Sequence, residues 1–295
     1  MRLHTPRIAF TVIVVGVVGC DPRPKDELGI QQRSLVLAIA GSGDVSYWRM
    51  DGTRLATNWF GSDCKTNIMW SGWDLICDGP AGKTLLLGLD GRTLASVDLS
   101  CRGGSVTLSP NRKAIACWDA SGSMLTVEEA GSGAYSVFNA EKLGIPAGSR
   151  LSGTFASSLS WTPDSASLYF SSGGRMFVYS RSPPAVNELA SKGDWPAVSP
   201  DGSRVIYRDL STGLLGIVGL SPSAKPQLLG LGPLWYPPTW SVDGDYILGN
   251  EKGAMKLVIL RLSDGKRQEV RIWDEDLKAQ FYALVRLPGE GHEKR

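Results

Sequence analysis

WPAVSPDGSRVIYRD, residues 195–209, is the stretch on which the fold turns. At its centre, Ser199-Pro200-Asp201-Gly202 has the makings of a type I turn. Serine favours the first position, proline fixes φ at the second, and glycine ends the turn. Trp195 to Val198 leads into it. Val205, Ile206 and Tyr207, all bulky β-formers, lead out. The stretch predicts a strand, a tight turn and a second strand.

The same unit recurs four more times. Its copies are Ser71-Gly72-Trp73-Asp74, Ser109-Pro110-Asn111-Arg112, Thr162-Pro163-Asp164-Ser165 and Ser241-Val242-Asp243-Gly244. From the first copy to the last, the leading residues are 38, 53, 37 and 42 apart. Apolar strands follow each one: Leu75 to Cys77, Ala114 to Cys117, Leu168 to Phe170, Val205 to Tyr207 and Tyr246 to Leu248. Asp90-Gly91 and Asp264-Gly265 read as hairpin turns between later strands. Four strands in a repeat of about 40 residues is one blade of a β-propeller.

Trp161-Thr162-Pro163-Asp164 and Trp240-Ser241-Val242-Asp243-Gly244 resemble the W-S-P-D-G signature of the TolB-type, WD-repeat-like β-propellers. Val198 to Gly202 matches it apart from the tryptophan. The resemblance covers about residues 35–287. It implies the fold, and also a docking role, since that family's propellers act mainly as platforms. It implies no particular partner, because the blade sequence is a turn-and-packing device shared by unrelated proteins. No Gly-His pair precedes Trp73-Asp74 or Trp118-Asp119, so the eukaryotic WD-repeat signature is absent. The separate N-terminal domain of TolB has no counterpart here, so membership of the Tol system does not follow.

Five turn motifs make five blades, and the chain ends supply a sixth. Ser34 to Asn58 reads as the last three strands of a blade: Leu35–Ala40, Val45–Arg49 and Arg54–Thr57. Phe281 to Leu287 is an orphan strand. Pairing it with Leu35–Ala40 closes the ring and leaves no sheet edge open where the ends meet. The expectation is an all-β, six-bladed propeller with one split blade, over residues 34–288, followed by a polar tail at 289–295.

The N-terminus supplies an address. Arg2 and Arg7 precede an apolar run from Ile8 to Val18, which suits a signal h-region and is too short for a permanent span. Val17-Val18-Gly19-Cys20 resembles the bacterial lipobox. The resemblance implies cleavage after residue 19, diacylglyceryl attachment at Cys20 and N-acylation. Several acyl chains on one cysteine anchor stably, where one would bind only marginally. Residues 1–19 are thus the expected lipoprotein signal peptide. Residues 20–33, polar beyond Cys20 and with two prolines, form a flexible tether. The predicted location is the bacterial cell envelope, with the propeller facing the periplasm or exterior. Asp21 follows the anchor, but the acidic sorting rule differs among bacteria, so inner and outer membrane both stay open.

Four further cysteines, Cys64, Cys77, Cys101 and Cys117, suit an exported, oxidised protein. Three pairings are possible. Cys77 and Cys117 fall at the ends of second strands, while Cys64 and Cys101 precede first strands on the same side of the same blade. Pairs Cys64–Cys77 and Cys101–Cys117 are expected. A Cys77–Cys117 bridge would have to span two blades, against a Cα–Cα limit of about 7 Å.

Charge and motif content then bear on function. Of 31 basic residues, Arg2 and Arg7 lie in the signal, leaving 29 against 29 acidic ones. With no basic run among aromatics, nucleic acid is not an expected partner. The two histidines, His4 and His292, lie outside the propeller, so no Ser–His or Cys–His nucleophile is expected within it. Gly82-Lys83-Thr84 lacks the first glycine of a phosphate loop, which would fall at Cys77. No cysteine spacing suits zinc and no acidic ladder suits calcium. Neither cofactor nor metal is predicted, and no catalytic residue stands out. Two readings remain. One is a membrane-tethered, non-enzymatic module presenting a propeller face to a protein, peptide or glycan. The other is an extracellular hydrolase or lyase acting on glycans, with carboxylates in the central channel.

Short turns fill one side of such a ring. The other side holds the longer segments 58–66, 139–157, 191–195 and 230–238. Trp59, Phe60, Trp195, Trp235 and Tyr236 lie on them and are the candidate partner-binding residues. The competing role for any of these rings is packing between blades, which is the assignment for Trp70, Trp161 and Trp240 beside the turns.

Overall fold

A computed structural model describes residues 28, 30, 35–40, 44–49, 54–59, 64, 69–71, 74–80, 83–88, 92–98, 106–119, 124–129, 134–145, 159–221, 224–251, 256–270 and 281–286. Cys20, Phe60, Cys101, segments 1–27 and 146–158, and the tail lie outside them. No helix among the described residues is long and apolar enough to cross a membrane.

The regular elements among the described residues are strands. The first sheet orders Phe281–Arg286 (β23), Leu35–Ala40 (β1), Asp44–Trp48 (β2) and Arg54–Trp59 (β3). Next come Met69–Ser71 (β4), Asp74–Asp78 (β5), Lys83–Leu87 (β6) and Thr93–Asp98 (β7). Val106–Leu108 (β8), Ala114–Trp118 (β9), Leu125–Glu129 (β10) and Tyr135–Phe138 (β11) make a third. A seven-stranded sheet holds Leu159–Trp161 (β12), Ser167–Ser172 (β13), Arg175–Arg181 (β14), Pro184–Val198 (β15), Arg204–Asp209 (β16), Leu215–Gly219 (β17) and Gln227–Leu228 (β18). The last is Thr239–Trp240 (β19), Tyr246–Glu251 (β20), Lys256–Arg261 (β21) and Arg267–Val270 (β22). All pairings are antiparallel, as in meanders.

The seven-stranded sheet is two meanders sharing β15. Its first half pairs with β14 and its second with β16, with a register shift between Asp194 and Ala197. Segment 191–195 is therefore strand, not loop. The two chain ends meet as the sequence pattern requires. β23 pairs with β1 from Leu35↔Arg286 to Ala40↔Phe281.

Packing arranges the sheets around a ring. β23 touches β4, β4 touches β8, β8 touches β12, β12 touches β15, and β19 touches β23. Two hydrogen bonds reinforce the circuit. The Val198 N–H donates to Ser160 Oγ at 3.0 Å, and Trp240 Nε1 donates to the Ala197 carbonyl at 2.9 Å. Successive side chains of a strand point to opposite faces, so each face can bury against a different neighbour. In β20, Tyr246 and Leu248 pack towards β1 with Leu35 and Leu37, while Ile247 packs the other way with Trp195 and Ile206. This is why the strands read as apolar runs and not as alternating ones.

The repeated turn works through its first side chain. Ser199 Oγ donates to Asp201 Oδ1 at 2.5 Å and accepts from the Arg204 N–H at 3.0 Å. Asp201 Oδ1 also accepts from the Ser203 N–H, and the Gly202 N–H donates to the Ser199 carbonyl at 2.9 Å. Thr162/Asp164 and Ser241/Asp243 repeat the pattern, and Ser109/Asn111 does so with an amide. The fourth residue is left-handed in all four copies: Arg112, Ser165, Gly202 and Gly244. Adjacent turns interlock. A Cβ on Gly202 would stand 3.2 Å from Pro163 Cδ, and one on Gly244 3.4 Å from Pro200 Cδ. The Ser71 copy differs. Ser71 pairs directly with Asp74, a connection two residues shorter than the rest. Without proline or a fourth-position glycine, that sequence makes a two-residue hairpin.

The expected tether, 20–33, is corrected at its distal end. Leu28 and Ile30 are buried between the β19–β22 sheet and β1, beside Leu35, Tyr246, Ile259 and Val270. The Leu28 carbonyl accepts from Tyr246 Oη at 3.0 Å and Arg261 Nη1 at 3.1 Å. The Leu28 N–H donates to Gln268 Oε1, and the Leu35 N–H donates to the Ile30 carbonyl. Burying two such side chains stabilises by about 1.5–3 kcal/mol each, which offsets part of the cost of ordering this end of the tether.

Candidate docking face

Strand direction decides which connections share a side. The Ser/Thr-led turns join first to second strands, so they lie with the turns between third and fourth strands. Turns between second and third strands lie opposite, together with the links to the next sheet. That second side carries the described segments 139–145, 173–174, 209–214 and 229–238.

The link 229–238 is held from both directions. Leu231 and Leu234 are buried against Ile206, Leu215 and Trp240. The Leu234 N–H donates to the Gly213 carbonyl at 3.0 Å, and the Trp235 N–H to the Asn250 carbonyl at 2.8 Å. Glu251 Oε1 accepts from the Gly232 N–H at 2.9 Å and from Arg267 Nη2 at 2.6 Å. Arg267 Nη1 also donates to the Gly230 carbonyl. On this fixed backbone Trp235 is 46 % exposed and Tyr236 half-buried.

Beside it runs the turn 209–214. Asp209 Oδ1 accepts from the N–H groups of Ser211 and Thr212, and the Gly213 N–H donates to the Asp209 carbonyl. These donors, the Ser211 hydroxyl foremost, hold the Asp209 carboxyl below its ordinary pKa. A Cβ on Gly213 would lie 3.2 Å from Pro233 Cβ, so turn and link are in contact. Leu210, at the turn, is 43 % exposed. Sequence reasoning passed over it, though an apolar residue straight after a turn-starting aspartate was the available signal.

Trp195 is not part of this surface. It is 2 % exposed and packs in the core with Ile206, Leu215 and Trp240. Its φ of 56° places it in the β15 irregularity, where the strand passes from one sheet to the next. The Arg208 guanidinium lies 3.7 Å from its ring centroid and also pairs with Asp194. The stack covers the ring and removes it from solvent. Burial pushes the Asp194 carboxyl above its ordinary pKa, against the opposing pull of Arg208. Trp59 ends β3, but its side chain, like Phe60, lies outside the described residues. Of the five candidate aromatics, the structure leaves Trp235 and Tyr236 on the face and adds Leu210.

Three carboxylates near this side meet arginines: Asp194 with Arg208, Glu188 with Arg175, and Glu251 with Arg267. Among the described residues, no group of three or more His, Cys, Asp or Glu side chains is placed to hold a metal. A disulfide joins Cys64 to Cys77, with Cα atoms 5.6 Å apart, tying the link before β4 to the end of β5 on this same side. Cys117, at the corresponding place in β9, is disulfide-bonded too. Its expected partner, Cys101, lies outside the described residues.

Sheets set round a ring, each touching the next through its first strand and buried on both faces, define a β-propeller. Comparison with solved structures agrees. A putative TolB from Agrobacterium tumefaciens aligns with a TM-score of 0.52 and 14 % identity, over 80 % of this chain and 89 % of that one. The β-propeller domain of Cps50 (Swd1) from Myceliophteria thermophila gives 0.49 and 15 %, over 82 % and 84 %. TolB from Acinetobacter baumannii gives 0.44 and 16 %, over 80 % of this chain and 52 % of that one. At these identities the likeness is one of fold. No protein-family model matches the sequence, and no curated protein matches it.

Proposed function

We propose that this protein is a lipid-anchored component of the bacterial cell envelope. Its six-bladed propeller docks a protein, peptide or glycan on the long-loop side and catalyses no reaction. On this reading, counting β15 once for each of its halves among the described strands gives six four-stranded blades, the first split between β23 and β1–β3. The anchor rests on the lipobox-like Val17-Val18-Gly19-Cys20 behind an apolar run. TolB-like propeller neighbours fit a non-enzymatic binding module in general.

The observation that carries the docking role is Trp235. A large aromatic side chain 46 % exposed on backbone pinned at Gly230, Gly232, Leu234 and Trp235 is the arrangement of a preformed anchor. Rigid aromatics give contact area at low entropic cost, and interfaces concentrate energy on them. Three of the nearby carboxylates, Asp194, Glu188 and Glu251, are engaged with arginines.

The test is affinity capture from detergent-solubilised envelope, using wild type and a Trp235→Ala/Tyr236→Ala variant. Loss of specific partners by a folded variant supports docking there. An unchanged set of partners makes the patch structural. Mass spectrometry of the mature N-terminus tests the anchor separately, and a free Cys20 or a chain starting at Met1 refutes it.

A further inference from the structure

The two chain ends meet the ring on one side only. In the split sheet, Leu35 opposes Arg286 and Ala40 opposes Phe281. β23 stands where the other sheets have their first strand, so Arg286 and Leu35 occupy the place of a missing Ser/Thr-led turn. The chain therefore enters on the short-turn side. A second, independent observation agrees. The Leu28 carbonyl is held by Tyr246, the first residue of β20 beyond the Ser241 turn, and by Arg261, which pairs with Asp264 in the turn after β21. Both turns belong to the short-turn side.

Eight residue steps separate Leu28 from Cys20. Fully extended, they reach at most about 30 Å. Strands of five or six residues with their turns make the ring roughly 25–30 Å thick. To bring the long-loop side against a membrane, the chain would have to spend its whole reach descending the ring's flank.

We propose that the short-turn side is the membrane-facing surface of this protein, held close to the leaflet by Leu28 and Ile30. The side with Leu210 and Trp235 then points away from the lipid. This rests on the reading of Cys20 as lipidated. The occupant of the short-turn side is a bilayer surface, and the tether sets the orientation. Attraction to headgroups does not, because the turns carry both signs: Arg112, Lys113 and Lys266 beside Asp164, Asp201 and Asp264. Several of those carboxylates are held ionised. Hydroxyl and backbone donors bring Asp201 to about 2, and Arg261 foremost brings Asp264 to about 2. The orientation is therefore insensitive to salt, unlike a polybasic contact.

The experiment uses the full-length protein purified from membranes and reconstituted in phosphatidylcholine/phosphatidylglycerol vesicles carrying a headgroup-linked energy-transfer acceptor. A donor is attached at Lys113→Cys on the short-turn side or Leu210→Cys on the other, with labelling checked against the unsubstituted chain. Transfer several-fold stronger from position 113 than from 210, unchanged between low and high salt, is the expected result. Equal transfer, or stronger transfer from 210, on protein whose Cys20 is lipidated by mass spectrometry overturns the orientation and leaves the anchor standing. Unmodified Cys20 with no vesicle binding overturns the anchor, and the orientation with it. A further variant carries about 20 Gly/Ser residues inserted between positions 27 and 28, which lengthens the reach without touching the ring. It should lose the difference between the two sites. A difference that survives the insertion refutes the tether as its cause.

Discussion

Ser199→Ala probes the turn from which the fold was read. The side chain is fully buried and makes two bonds. A hydroxyl bonded to a carboxylate contributes about 1.5–3 kcal/mol, and exposed Asp201 puts this one at the low end. The Arg204 N–H loses its acceptor, a further cost of about 1 kcal/mol. The sum is about 2–3 kcal/mol, or roughly 5–10 °C in Tm for a domain of this size. The pH profile adds a signature. Ser199 is the leading cause of the depressed Asp201 pKa of about 2, against 3.8 ordinarily. A carboxylate depressed in the folded state stabilises fully above the ordinary value, and that stability is lost as pH falls towards 2. Ser199→Ala raises the folded-state value, so the variant loses less stability than wild type between pH 4 and 2. Urea titrations followed by tryptophan fluorescence at several pH values measure both effects. A loss under about 0.5 kcal/mol at neutral pH, or parallel pH profiles, would refute the reasoning.

Two more predictions concern packing and charge. Gly202→Val places a β-branched residue at φ 70° with its Cβ 3.2 Å from Pro163, and should cost about 2–3 kcal/mol in the same titrations; Ser203→Val, one residue on, lacks both features and serves as control. Arg208→Ala removes the partner of partly buried Asp194 and the cation over Trp195, for a loss of about 2–4 kcal/mol. Adding Asp194→Ala should recover part of that loss in a double-mutant cycle, and a strictly additive double variant would show that the pair is not coupled.

The sequence was most informative where the chain repeats itself. Ser/Thr, Asp/Asn and a left-handed fourth residue are each required by local bonds, so they recur wherever the turn does. Their spacing then located the second strands and the Cys64–Cys77 side of the blade. Long-range placements were less legible. Leu28 and Ile30 stand two apart, the period of a half-buried extended segment, but two apolar residues among polar neighbours are too few to register. Beyond β1, the partners that bury them are more than 200 positions away. Trp195 looked like a loop aromatic because nothing nearby announces that β15 continues across two sheets. The arginine that covers it comes from the following strand. At Ser71 the missing proline and glycine were themselves the sign of a different connection.

β15 has a consequence for how the molecule opens. Among the described residues, no other strand belongs to two sheets. Here one backbone serves as the outer edge of one sheet and the first strand of the next. Separating those two sheets means tearing a ladder, so amides on both halves of 184–198 should exchange with solvent together, as one cooperative unit. Transient breaching of the circle therefore belongs at other joints, and this pair of sheets is the block around which the remainder loosens and re-forms.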